Sequence, residues 1–319
     1  MSKDSDYVHQ PVLLSEVLSF LAIKPDGCYV DCTVGGGGHA AEMAARLGPD
    51  GRLIGIDRDS DALEAARLRL DRLGLLSRCR LIPGNFSELD SILDALDLTA
   101  VDGILADLGV SSWQLDQPDR GFGYKTDGPL DMRMDQQASL TAEKIVNTWS
   151  QDALAEILSE YGEERYAKRI SQAIVARREK QPFRTTADLA ETVIEAMPPA
   201  SRREAQHPAR RTFQALRIAV NDELSALSRF LEIAPTRLTD GGRLCVITFH
   251  SLEDRLVKQT FRTLENPCIC PRDFPVCTCG RKPQGRVLTK RPIRASKEEQ
   301  LANPRARSAS LRCFERIGS

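Results

Sequence analysis

Three features predict an α/β fold, a parallel sheet with right-handed crossovers interrupted by a helical insert. Strands and helices alternate through the first hundred residues, a glycine run follows the first strand, and helices alone fill about 141–195. The elements follow in order. Cys28–Val34 (CYVDCTV) is a β-prone run ending in Gly35-Gly36-Gly37-Gly38, and His39–Leu47 reads as a helix. Arg52–Asp57 (RLIGID) is the second strand. Asp59–Leu73 is a helix with an Asp cap, an acidic first turn and Gly74 behind it. Arg80–Ile82 is a short third strand. Val101–Leu108 is a fourth, apolar almost throughout, as a strand covered on both faces should be.

The alternation then stops. Gly109–Arg133 is polar and rich in Gly, Pro and Asp, too long for a plain connection. Helical patterns follow from about Thr141 to Glu195, and Thr212–Ile233 reads as one further long helix. The β pattern returns at Arg243–Phe249, behind the turn Asp240-Gly241-Gly242. Ser251–Leu264 is a helix, with Ser251 and Glu253 or Asp254 as its start signal. Val287–Thr289 and Ser310–Arg316 supply the last strands.

Composition narrows the function. The 319 residues are 41% hydrophobic and 28% charged, enough for a sizeable core and unlike a disordered chain. No apolar run approaches the ~20 residues that span a bilayer. The first residues lack the basic and apolar regions of a secretory leader. A cytoplasmic protein without membrane contact is therefore expected. A formal charge of −1 predicts no polyanion partner by itself, but it hides clusters. Arg281–Lys297 holds seven Lys/Arg and no acid, Arg165–Arg184 holds seven against one Glu, and Arg202, Arg203, Arg210 and Arg211 form a third group. Such clusters suit phosphate contacts, which give affinity without base identity.

The chemistry is expected at the strand ends. Glycines after the first strand let the backbone turn sharply and let a ligand approach. Asp57 ends the second strand 20 residues after Gly37, where a carboxylate can accept both hydroxyls of a ribose. Dinucleotides and S-adenosylmethionine both use this arrangement. His39 directly after Gly38 spoils a regular G-x-G-x-x-G, and Asp31 on the first strand can orient the loop or meet a methionyl ammonium. Both points favour the sulfonium cofactor. At the end of the fourth strand stands Asp107-Leu-Gly-Val-Ser-Ser112, where open α/β sheets place their chemistry. An exocyclic amine on a base is a poor nucleophile, because its lone pair is delocalised into the ring. A carboxylate and a carbonyl that accept its two N–H groups can rehybridise the nitrogen and aim it. Trp113, Phe122 and Tyr124 near this turn are candidate rings against a flipped base. His250 could line the same region.

These segments, with others, resemble the RsmH/MraW family of 16S ribosomal RNA (cytosine-N4)-methyltransferases over nearly the whole chain. The matching stretches include His9-Gln-Pro-Val-Leu-Leu, Gly37-Gly38-His39, Ile56-Asp57-Arg58-Asp59, Asp102–Ser112, Asp127–Asp135, Tyr161–Arg165, Arg211–Ala215, Thr248–Arg255 and Asn303–Ser308. The resemblance implies a class I (Rossmann-like) S-adenosylmethionine-dependent methyltransferase sheet with an inserted helical domain. Its parts would be 1–115, a helical insert at 116–211 for RNA recognition, and 212–319 with a basic, Cys-rich loop at 266–297. It implies methylation of N4 of a cytidine in the decoding centre of 16S rRNA in the small ribosomal subunit. Asp107 would be catalytic, and Gly37, Gly38, His39, Asp57, Phe86, Asp107 and Gln114 would bind the cofactor. The oligomeric state stays open between monomer and homodimer. A nucleotide-dependent oxidoreductase and a non-catalytic RNA-binding factor are the competing readings.

Cys268, Cys270, Cys277 and Cys279 form a C-x-C-x6-C-x-C array. Four thiolates could hold zinc, but the spacing departs from the usual C-x-x-C pairs. The expectation is reduced loop cysteines and no metal.

Overall fold

The computed structural model describes residues 11–203, 206–271 and 278–318. His9, Gln10 and Cys277, named above, lie outside these residues. The chain divides into two compact units, Met1–Gly109 with Ser225–Ser319, and Val110–Leu224. The expected insert, 116–211, falls within the second unit, which also takes in 110–115 and 212–224.

The first unit opens with α1 (Leu14–Leu21), β1 (Cys28–Asp31), α2 (Gly38–Ala44), β2 (Arg52–Asp57), α3 (Ser60–Arg72), β3 (Cys79–Pro83), α4 (Leu89–Asp94) and β4 (Val101–Asp107). Asp59 caps α3 as expected, its side chain accepting from Asp61 N at 3.1 Å. Behind α3, Gly74 takes the left-handed φ of +68°. β4 is buried along almost its whole length, which accounts for its near-continuous apolar sequence.

The second unit carries α5 (Ser112–Asp116), α6 (Ala142–Thr148), α7 (Gln151–Glu160), α8 (Ala167–Arg178), α9 (Thr186–Ala196) and α10 (Arg210–Asn221). Ile145, Leu154, Ile170, Phe183, Leu189 and Phe213 are buried in its core. The expected single helix 212–233 is two. Asp222 at φ +48° stops α10, and α11 (Glu223–Ile233) starts afresh. Asn221 explains the break: its side chain leaves the helix to bond Met132 O and Met134 N, both at 2.8 Å.

The first unit resumes with β5 (Leu238–Thr248), α12 (Ser251–Glu265), β6 (Gly285–Val287), α13 (Lys297–Ala302) and β7 (Ser310–Arg316). The turn at 240–242 lies inside β5 as a bulge, since Val101 pairs with Leu238 but Gly103 with Arg243. The seven strands form one sheet in the order β3-β2-β1-β4-β5-β7-β6, with β7 antiparallel to both its neighbours. This is the Rossmann-like sheet predicted from the sequence. One apolar layer around Val17, Met43 and Leu311 and another around Ile56, Phe230 and Phe261 form its two cores. None of the described helices is long and apolar enough to cross a membrane.

Candidate active site

The parallel strands β2, β1 and β4 are neighbours, so their carboxyl ends bring Asp57, Asp31 and Asp107 to one edge of the sheet. The chain leaving β1 is held there by hydrogen bonds. Gly35 N donates to Asp57 Oδ2 at 2.8 Å, and Asp59 N donates to Asp57 Oδ1 at 2.9 Å. Asp57 thus ties the glycine loop to the end of β2 while keeping lone pairs to spare. Asp107 N donates to Thr33 Oγ1 at 2.7 Å, which ties the same loop to the end of β4.

The glycines divide by role. Gly37 stands at φ +75° just before α2, and a Cβ on it would lie 3.1 Å from Ala66 Cα. A Cβ on Gly38 would lie 2.7 Å from Pro11 Cγ. Close packing alone therefore demands glycine at both positions. Gly36 is exposed, and a Cβ there would meet nothing within 4 Å. The open face of the loop is Gly35–Gly36.

Beside the loop, buried polar atoms outnumber their partners. Asp31 is 1% exposed; Oδ1 accepts from Thr33 N at 3.2 Å, and Oδ2 has no hydrogen-bond partner. Asp107 Oδ1 is also buried without one, and so are both ring nitrogens of His39. The distance from His39 Nε2 to Asp107 Oδ2 is 3.7 Å. Burial, reinforced by Asp31 and Glu253, lifts Asp107 to about 8. Burial also lifts Asp31 to about 7, against the N–H from Thr33. Burial lowers His39 to about 4, so at neutral pH the imidazole is uncharged and forms no ion pair with Asp107. Asp57 is raised as well, by burial opposed by the N–H groups of Asp59 and Gly35. Carboxyl groups held in this way gain most from a cation placed among them.

α12 starts at Ser251, the start read from sequence, and His250 is its N-cap. Its Nδ1 accepts from Glu253 N at 3.4 Å, and Glu253 Oε2 accepts in return from His250 N at 3.3 Å and also from Phe249 N at 2.8 Å. This reciprocal capping box uses His where Ser or Asp is usual. Its Nε2 lies 3.1 Å from Glu253 Oε1.

The remaining expected residues are dispersed. Phe86 is half-buried just after β3, with its ring edge-on to Phe230 at 5.4 Å. Gln114 belongs to the second unit, where Oε1 accepts from Ser111 N at 2.9 Å. Of the candidate rings, Phe122 is in the core of that unit, and Tyr124 stacks on His207 and meets Phe213 edge-on. Trp113's side chain lies outside the described residues.

The basic clusters also separate. In the second unit Arg178 donates to Val146 O and Trp149 O, Arg177 pairs with Asp188, Arg202 donates to Met197 O and Glu195 O, and Arg211 donates to Glu163 O. Arg178, Arg202 and Arg211 thus hold backbone turns, while Lys168, Arg169, Lys180 and Arg184 are exposed. Within 281–297 only Gly285, Thr289 and Ala295 are buried, and all seven cations are exposed. One of them, Arg286, pairs with Glu315.

Sequence reasoning understated Thr33 and Glu253 and the open glycines Gly35 and Gly36. The run Asp31-x-Thr33-x-Gly35 held the signal for the loop residues. Glu253 is brought to Asp107 only by the pairing of β4 with β5.

Comparison with known proteins agrees with this architecture. The model of the MraW methylase family matches residues 6–317. Ribosomal RNA small subunit methyltransferase H of Symbiobacterium thermophilum is 55% identical over 309 residues, covering 97% of this chain and 96% of that one. The protein of the same name from Carboxydothermus hydrogenoformans is 53% identical over 312 residues, covering 98% and 99%. That from Heliobacterium modesticaldum is 52% identical over 310 residues, covering 97% and 98%. With a family match from end to end, a Rossmann-like sheet and a carboxylate cluster at its strand ends, the chain belongs to the MraW methylase family.

Proposed function

We propose that this chain methylates ribosomal RNA of the small subunit, at the exocyclic N4 of a cytidine in the decoding centre of 16S rRNA. The methyl donor is S-adenosylmethionine. The observation that carries the reading is the set of buried, partnerless polar atoms of Asp31 and Asp107 beside the open face of the glycine loop. Such atoms fit a ligand that brings positive charge and N–H donors, and they have little use for a pyrophosphate. When bound, the cofactor supplies an electrophilic methyl group on a cationic sulfur. Asp57 would hold the ribose hydroxyls with its free lone pairs, and Phe86 would cover the adenine. Gly37, Gly38 and His39 would shape the loop wall. Asp31 would accept from the methionyl ammonium. Gln114 comes to the cofactor set from the family resemblance.

Asp107 has the central role. As a carboxylate it accepts one N–H of the cytidine amine while a backbone carbonyl accepts the other, which frees the nitrogen lone pair for in-line attack. The methylated nitrogen is then acidic enough to give its proton to water. No general base is required, and His250 remains a capping residue. The exposed cations of 281–297 would meet RNA phosphates. The cytoplasm, where the small subunit is assembled, is the proposed location.

The test uses small subunits from cells lacking this activity, incubated with the protein and isotopically labelled S-adenosylmethionine. The RNA is digested and the labelled nucleoside identified by mass spectrometry. Label in N4-methylcytidine at one position is expected. Label on ribose or another base would overturn the assignment of Asp107.

A further inference from the structure

The cysteine array was expected to be a reduced loop without metal, yet its described members converge. The segment from 266 to 284 joins α12 to β6. Its base is pinned where Gln284 N donates to Leu264 O at 2.9 Å and Val287 N donates to Glu265 Oε1 at 2.8 Å. Beyond that base the described residues 266–271 and 278–284 bury no side chain, and Ile269 is 66% exposed. Among the described residues no apolar core holds the two arms together. Even so, the sulfurs of Cys268 and Cys270 on one arm and Cys279 on the other lie within 4.8 Å of one another.

The spacing of the sulfurs distinguishes their chemistry. Cys279 Sγ is 3.9 Å from Cys268 Sγ, nearly twice the about 2.05 Å of a disulfide. A zinc–sulfur bond of about 2.3 Å puts sulfurs about 3.8 Å apart at the corners of a tetrahedron. Cys270 Sγ accepts from Thr278 N at 3.4 Å, the kind of N–H···S bond that supports a metal thiolate. Gly280, at φ +67°, turns the chain directly after Cys279. Arg281 and Lys282 follow and offset the negative charge of a thiolate cluster. By contrast, Cys245 and Cys313 face each other in the sheet at 3.3 Å, fully buried and outside any such cluster.

We propose that Cys268, Cys270 and Cys279 bind a zinc ion that clamps the two arms of the loop between α12 and β6. Soft thiolates in a tetrahedral set select zinc over magnesium or calcium. A chain segment too short to bury a core gains its order from such a staple. The clamp fixes the start of the exposed basic run at Arg281 and Lys282. Cys277, outside the described residues, is not used in the assignment.

The untagged full chain, purified without chelator, is analysed for metal by inductively coupled plasma mass spectrometry. One zinc per chain is expected, falling to background in the double variant Cys268→Ser, Cys279→Ser. Because that variant could misfold, the wild-type chain is also stripped and reloaded with cobalt(II). Thiolate-to-cobalt charge-transfer bands with tetrahedral ligand-field bands are expected. Trypsin should cut after Arg281 faster once zinc is removed. The proposal is overturned by a reduced wild-type chain that binds neither zinc nor cobalt, by zinc that persists in a folded double variant, by a Cys268–Cys279 disulfide in the native protein, or by tryptic cleavage indifferent to the metal.

Discussion

Asp31 in the first unit and Asn221 in the second are both buried polar side chains with opposite accounts. Asn221 is 8% exposed and both ends of its amide are used: Oδ1 takes the Met134 N–H, while Nδ2 donates to Met132 O and Arg217 O. Asp31 is 1% exposed, and one of its oxygens is left without a partner. Its neighbours Asp107 and His39 repeat the pattern. A buried polar group with every bond made serves the fold, because removing it leaves partners stranded. A buried carboxyl with bonds unmade costs the fold free energy and awaits a ligand. The contrast separates architecture from function without reference to any relative.

The sharpest way to break it is Asp107→Asn. Methyl transfer to small subunits should fall by roughly 10²–10³-fold or more, the scale of losing a preorganised electrostatic partner. Thermal stability should rise, because a poorly partnered carboxyl has been replaced by a neutral amide. A variant that transfers methyl at the wild-type rate, or that melts earlier, would refute the division. The converse is Asn221→Ala. Three hydrogen bonds are lost, two of them to buried partners, so a loss of about 2–4 kcal/mol in denaturant unfolding is expected, with cofactor affinity unchanged in calorimetry.

A smaller effect follows from proton linkage. Asp107 near 8 and Asp31 near 7 are largely protonated in the free chain at pH 6. A cationic ligand favours the charged carboxylates, so protons leave as it binds. Affinity for S-adenosylmethionine should therefore tighten as pH rises from 6 to 8, by at most about tenfold per unit for each carboxyl. Asp107→Asn should flatten that rise, and calorimetry in two buffers of different ionisation heat would count the protons released. The smallest effect is at His250. His250→Ala should cost about 1 kcal/mol through the lost cap, and His250→Asn should restore most of it. An altered pH profile of the transfer rate in either variant would make His250 more than a cap.

The sequence exposed whatever was local. Arg52–Asp57 and Ser310–Arg316 are strands at their expected bounds, and Asp59 caps its helix. Long-range determinants were less legible. The helical pattern over 212–233 runs on without a local stop signal, because the break is caused by Asn221 reaching residues nearly ninety positions away. Asp57 and the glycine loop were readable, since one strand–loop–helix passage places them. The meeting of Asp31, Asp107 and Glu253 was not, because it depends on β4 lying between β1 and β5. In the second unit arginines such as Arg178 and Arg202 serve backbone carbonyls, while Lys168, Arg169, Lys180 and Arg184 of the same cluster are exposed. Composition cannot tell such a cation from one waiting for a phosphate.

The pairing of β4 with β5 spans the whole of the second unit, since Val101 meets Leu238. A ribosome synthesising this chain completes Val110–Leu224, a continuous stretch with its own apolar core, before β5 leaves the exit tunnel. The half-sheet β3-β2-β1-β4 must wait meanwhile with the edge of β4 uncovered, and closing so long a loop carries an entropic cost that only the finished sheet offsets. Glu253 reaches Asp107 last. The nascent protein therefore lacks the cluster of Asp31, Asp107 and Glu253 until α12 has been made, and a stop between Leu224 and Leu238 leaves the helical unit complete in sequence beside a half-built sheet.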